Sequence, residues 1–138
     1  MAIVNNLKRR TFDFSVAAFR VCRPLMRTPE ARVPIGQLVR SSASVAANYR
    51  ATCRAKSKPD FISKLGTVIE ESDESLLRLE YLVETGLVAA PSVKKLRSEA
   101  NELVAIFTTS QKTARANYAR EKNRRRALRR RRARSEEY

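Results

Sequence analysis

Two runs of arginine carry most of the chemistry this sequence can do. Arg124-Arg125-Arg126 and Arg129-Arg130-Arg131-Arg132 are separated only by Ala127-Leu128, and Arg120, Lys122 and Arg134 extend them. Guanidinium groups hold phosphate through paired N–H donors, so this density points to a polyanion. Residues 112–134 hold twelve lysines and arginines against one acid, Glu121, in a 138-residue chain whose net charge is +15. On a helix these arginines cover most of the circumference. That suits phosphates better than a bilayer surface, which needs an apolar face that Leu128 alone does not supply. About eight phosphate contacts would predict a loss on the order of 10³–10⁵ in affinity between 50 and 200 mM salt. No aromatic residue interleaves the runs, so base stacking on them is not indicated. The competing reading of this segment is a solvated basic tail that serves only solubility.

A second candidate is the acidic group Glu70, Glu71, Asp73 and Glu74. At helical spacing Glu70 shares a face with Asp73 or Glu74, and paired carboxylates can hold a divalent metal or move protons. The alternative is structural: these acids pair with Arg40, Arg50, Arg54 or Lys64. Left unpaired, Arg40, Arg50 and Arg54 would form a second basic surface. A third candidate is a polar stripe at steps of three and four: Gln37, Arg40, Ser41, Ser44 and Asn48. Serine and asparagine on one face suggest a tight, partly buried polar contact, within the bundle or between subunits.

Enzyme chemistry has little to work with. There are no histidines, which removes the commonest general base and metal ligand. No glycine-rich phosphate loop, zinc pattern or dinucleotide fingerprint is present. Cys22 and Cys53 are isolated from one another and read as small apolar residues rather than reactive thiols. No metal, cofactor or catalytic residue is expected. Met1 to Arg10 lacks the apolar stretch of a signal peptide, and no apolar run reaches the roughly 20 residues of a membrane span. A soluble cytoplasmic protein is expected, with no membrane partner.

These groups must be positioned by helices, because no segment alternates like a strand. Leu7, Thr11, Phe14, Ala18, Val21 and Leu25 mark a first stripe, expected over about Asn5–Arg23 and ended by Pro24. Thr28-Pro29 is a possible cap and first-turn pair in the connection that follows. Ile35, Leu38, Ser42, Val45 and Tyr49 mark the second, from Pro34 to about Lys56. Ser57 can cap a third helix whose Asp60 complements the free N–H groups. Its stripe is Phe61, Leu65, Val68, Ser72, Ser75, Leu79 and Leu82, and Gly86 suits the left-handed position after its end. The fourth begins at Pro91 and carries Val93, Leu96, Ala100, Leu103, Phe107, Ser110 and Ala114. Alanine and arginine both favour helix, so it is expected to run on to about Arg134, at least once its charges are neutralised. The expected fold is all-α: an antiparallel up-down four-helix bundle over residues 1–115 with a basic helical extension over 116–138.

The stretch Gln37-Leu38-Val39-Arg40-Ser41-Ser42-Ala43-Ser44-Val45-Ala46-Ala47-Asn48-Tyr49-Arg50-Ala51 resembles the hallmark of the four-helix-bundle proteins, the S23 or 23S rRNA intervening-sequence protein family. Arg54-Ala55-Lys56-Ser57, Phe61-Ile62, Lys64-Leu65, the acids Glu70 to Glu74, Leu79-Glu80 and Gly86-Leu87 are similar too, so the likeness spans about Phe14 to Thr113. Where many members carry Asn-Ile-x-Glu-Gly, this chain has Asn48-Tyr49-Arg50-Ala51-Thr52. The resemblance implies a homopentameric, barrel-like ring, with Gln37, Ser41, Ser44, Asn48, Glu70 and Glu74 as its structural or oligomer motif. The family includes the accessory variability protein of diversity-generating retroelements, which binds nucleic acid and partners a reverse transcriptase. The expected function is non-catalytic binding of nucleic acid, RNA rather than DNA, by a ring-shaped homo-oligomer. The alternative is a scaffold for a protein partner such as a reverse transcriptase, the tail only solvating.

Overall fold

Each apolar stripe becomes the buried face of one helix. The computed structural model describes residues 2–138, with side chains from Asn6 onward. Helix α1 spans Ala2–Cys22, α2 Arg32–Cys53, α3 Lys58–Glu84 and α4 Ala90–Glu136. No strand occurs among the described residues. Short 3-10 turns at Arg23–Leu25 and Pro29–Ala31 fill the first connection. There Thr28 makes no side-chain cap bond.

The helices pack in a cycle in which α1 meets α2 and α4, and α3 meets α2 and α4. Cross-helix pairs show α4 running antiparallel to both α3 and α1. On α3 and α4, Glu80 faces Arg97 while Lys58 faces Glu121. On α1 and α4, Arg10 reaches both Glu99 and Glu102, while Leu7 lies farther along beside Phe107. Phe14, Leu38, Val45, Leu65, Val68, Leu79, Leu82, Val93, Leu103 and Phe107 form the shared core. Phe107 stacks obliquely on Tyr49 with centroids 5.2 Å apart. Burial pushes the Tyr49 phenol above its ordinary range and the Cys22 thiol up to about 11. Both cysteines are free, Cys22 buried and Cys53 half-buried.

Several core positions are hydroxyls. Thr11, Ser42, Thr52 and Ser72 are buried and donate to carbonyls three or four residues back on their own helices. A small side chain satisfied locally lets a neighbouring helix come close without an orphaned polar group.

The ends follow local rules. Asp60 donates its backbone N–H to Ser57 Oγ at 3.1 Å, so Ser57 caps α3. Gly86 has φ +77°, and Val88 N–H donates to Leu82 O across it, the glycine closure of a helix end. Helix α2 differs from expectation at both ends. It begins at Arg32, which places Pro34 third, still inside the first turn where no N–H needs an intrahelical partner. It stops at Cys53 because Ser57 must be extended, φ −157°, to cap α3. Ser57→Ala is expected to lower unfolding free energy by about 0.5–2 kcal/mol in urea melts, with Ser57→Asp retaining most of it.

Candidate nucleic-acid interface

The interface begins where the bundle stops covering α4. Phe107 is the last buried residue of α4. Past it, Gln111 donates through Nε2 to Ile62 O at 3.0 Å. A Cβ at Gly66 would lie 3.2 Å from that amide nitrogen, so a residue without a side chain makes room for it. The last tie is Glu121, paired with Lys58 at the start of α3 and with Arg125 one turn on at 2.9 Å. Hydrogen bonding from Lys58 holds the Glu121 carboxyl below the usual carboxylate range. Lys122 lies over the Tyr118 ring, 5.4 Å from its centroid.

From Lys122 to Tyr138 every residue is exposed, and the helix continues unbroken to Glu136. Lys122, Arg124, Arg125, Arg126, Arg129, Arg130, Arg131, Arg132 and Arg134 lie on this projecting part, and Arg120 at its root is exposed too. At about 100° per residue these cations leave no gap around the axis wider than about 80°, the gap that Leu128 occupies. Glu121 takes up only Arg125 of this set, and no other acid pairs with them among the described residues. Position 115 lies within α4, with no break in the helix there.

The second basic surface changes membership. Arg40 is engaged: Nη2 meets Glu74 at 2.6 Å and Nη1 meets Glu71 at 3.3 Å, while Nε reaches Gln37 Oε1 at 3.5 Å. Arg40 thus belongs to a latch between α2 and α3. Arg50 and Arg54 make no ion pair among the described residues and remain exposed. Arg50 shares a shallow hollow with Lys8, Arg9 and Phe12. Arg54 follows the last residue of α2, close in sequence to Lys56 and Lys58. Lys58 stands at the root of the projection through its pair with Glu121, and the others lie toward the same end of the bundle, where Leu7, Tyr49, Lys56 and Lys58 line one hollow. Lys8, Lys56 and Lys58 were not singled out in the sequence, since nothing local links them to α4; Lys58 lies 63 residues from its partner Glu121.

The polar stripe also divides. Ser41 is buried and its Oγ lies 2.9 Å from Ser75 Oγ on α3, a contact inside the bundle. Asn48 donates to Ser44 O of its own helix at 2.8 Å. Of the acids, Glu71 and Glu74 are held by Arg40, whereas Glu70 and Asp73 are exposed. Among the described residues no group of three or more acids or cysteines is placed to hold a metal. No described helix is long and apolar enough to cross a membrane.

The latch has a pH signature. Hydrogen bonding from Arg40 lowers the Glu74 carboxyl below its ordinary value of 4.5. Lys64, with the Lys56 N–H, lowers Asp60 in the same direction. A depressed carboxyl stabilises the fold above its unfolded value and stops doing so as pH falls through its folded one. Without histidine, no side chain of ordinary pKa titrates between pH 5 and 8. Melting temperature is expected to stay level from pH 8 to 5 and to fall below about 4.5. The acid-side fall should shrink in Arg40→Gln.

With this geometry in hand, the chain can be set beside known proteins. The model of the 23S rRNA-intervening sequence protein family matches residues 5–109. The chain belongs to that family. A solved structure from Bacteroides thetaiotaomicron, a protein of unknown function from the S23 ribosomal protein family, is similar at 25% identity with a TM-score of 0.72. The match covers 77% of this chain and 98% of that one. No curated protein matches. The family match therefore takes in the bundle and stops before the extension, whose cations lie outside it.

Proposed function

We propose that this family member is a non-catalytic nucleic-acid-binding accessory protein that holds RNA by its phosphates, acting in the cytoplasm. One observation carries the reading: nine cations project on a continuous helix, exposed on all sides, and of them only Arg125 has an acid partner, Glu121, among the described residues. Exposed unpaired cations have no structural work inside the bundle, and their repulsion costs stability unless a polyanion neutralises them. Arg50, Arg54, Lys56 and Lys8 add charge toward the same end of the bundle. RNA is favoured over DNA because the family's name refers to an rRNA intervening sequence.

The bundle serves as an oligomerising base, with a pentamer as the proposed state. Phe12 and Phe19 are 42% and 38% exposed seven residues apart on one side of α1, an apolar strip that suits a second copy. The same strip supports the second reading, a scaffold whose protein partner, such as a reverse transcriptase, sits there while the extension only solvates.

The test compares RNA binding by the full chain and by a chain ending at Glu121, which retains every buried residue of α4 and its tie to Lys58. Loss of binding with the cut supports the phosphate-grip reading; undiminished binding overturns it, and no binding by either chain leaves the scaffold. Molecular mass in solution tests the ring, and a monomer would contradict it.

A further inference from the structure

The shape of the extension narrows the kind of RNA it can hold. Residues 122–136 form an unbroken helical rod of about 22 Å with every residue exposed. Cations stand on opposite sides of it: Arg124 and Arg131 on one, Lys122 and Arg129 on the other. A single strand lying along the rod would engage one side and leave the other charged and idle. Strand-binding proteins also use aromatic platforms, and the rod has none before Tyr138. A groove with phosphates on both walls engages opposite sides together.

Width then decides which groove. A helix with its side chains is about 10–12 Å across. A major groove about 12 Å wide admits one, whereas the major groove of an uninterrupted A-form duplex is too narrow. Unpaired nucleotides break the stack of an RNA stem and let its phosphate walls separate.

We propose that the extension is a groove-inserting rod and that its RNA ligand is a stem interrupted by an internal loop or bulge. This rests on the phosphate-grip reading above and adds ligand shape to it. The rod's length equals roughly six base-pair steps of a B-form duplex at 3.4 Å each, and more of the shorter steps of A-form RNA, so one interruption within that distance suffices. Arg54 and Lys56, exposed and a few residues from the Lys58 that holds Glu121, would then meet the backbone beside the point of entry.

The experiment uses the full chain and four probes with equal numbers of phosphates. They are an unpaired RNA strand, an uninterrupted RNA duplex, the same duplex with an internal loop, and a DNA duplex. The interrupted stem should bind tighter than the strand and the uninterrupted duplex by on the order of tenfold, the scale of one or two guanidinium contacts made or missed. The DNA duplex, whose groove is wide enough, should side with the interrupted stem. Ala127→Pro keeps every charge but breaks the rod outside the bundle; it should remove the preference while retaining salt-sensitive binding. Equal binding of all four probes overturns the inference, as does a DNA duplex that sides with the uninterrupted RNA, or a preference that survives the proline. Those results leave the phosphate grip standing. Equal binding by the chain ending at Glu121 would instead overturn the grip itself.

Discussion

A chain ending at Glu121 is expected to bind RNA at least about 10³-fold more weakly than the full chain at 50 mM salt. The cut removes nine cations between Lys122 and Arg134 and two acids, Glu136 and Glu137. It removes no buried residue, since burial on α4 ends at Phe107, and it keeps Glu121 paired with Lys58. Melting temperature should therefore stay the same or rise slightly, because a self-repelling segment is gone. That separation between affinity and stability makes the result interpretable. If the bundle assembles several copies, the loss deepens, since extensions reaching one RNA would contribute an avidity of about 10²–10⁴. The measurement is fluorescence anisotropy of labelled RNA with both chains at matched protein concentration.

Phe107→Ala should destabilise the bundle by about 3–5 kcal/mol. Phe107 is 1% exposed and stacks on Tyr49. It also lines a hollow of about 630 Å³ with Leu7, Phe61 and Leu65. Truncation would enlarge that hollow, expose Tyr49 and loosen three helices from α4. Against a total stability of about 5–15 kcal/mol, this is a large share. Thermal melts at fixed protein concentration read it, because oligomerisation makes melting concentration-dependent. Leu128→Ala, on the exposed rod, should shift stability by less than about 0.5 kcal/mol. The Phe107 change should leave RNA binding intact wherever the protein remains folded, because the cations of the grip lie beyond Glu121, away from the buried site.

The contrast between these substitutions reflects what was legible in the sequence. The four stripes were readable because burial on a helix imposes steps of three and four; Phe14, Leu38, Leu65 and Leu103 are all buried as the spacing requires. The α3 cap at Ser57 and the φ of Gly86 were readable because each is dictated within a few residues. The ends of α2 were less so: proline is tolerated throughout a first turn, and the stop at Cys53 is set by the neighbouring cap. Long-range pairing was the hardest to read. Arg40, Arg50 and Arg54 look equivalent along the chain. Only Arg40 faces the acids, because antiparallel packing brings Glu71 and Glu74 beside it and leaves Arg50 and Arg54 at the open end. Likewise Ser41 and Asn48 belong to one stripe, yet one meets α3 and the other bonds its own helix. The basic extension itself was plain from composition. Its projection beyond Lys58 became visible only once α3 and α4 were aligned.

The salt dependence of RNA binding by the full chain reads the phosphate contacts of the arginine runs directly. Eight phosphate contacts on a single strand predict a slope of log K against log salt of roughly −6, somewhat steeper on a duplex. The chain ending at Glu121, left with only the cations of the bundle such as Arg50 and Arg54, should show a much shallower slope, flatter than about −2. A slope for the full chain flatter than about −2, or the same slope for both chains, would contradict a grip built on the arginine runs.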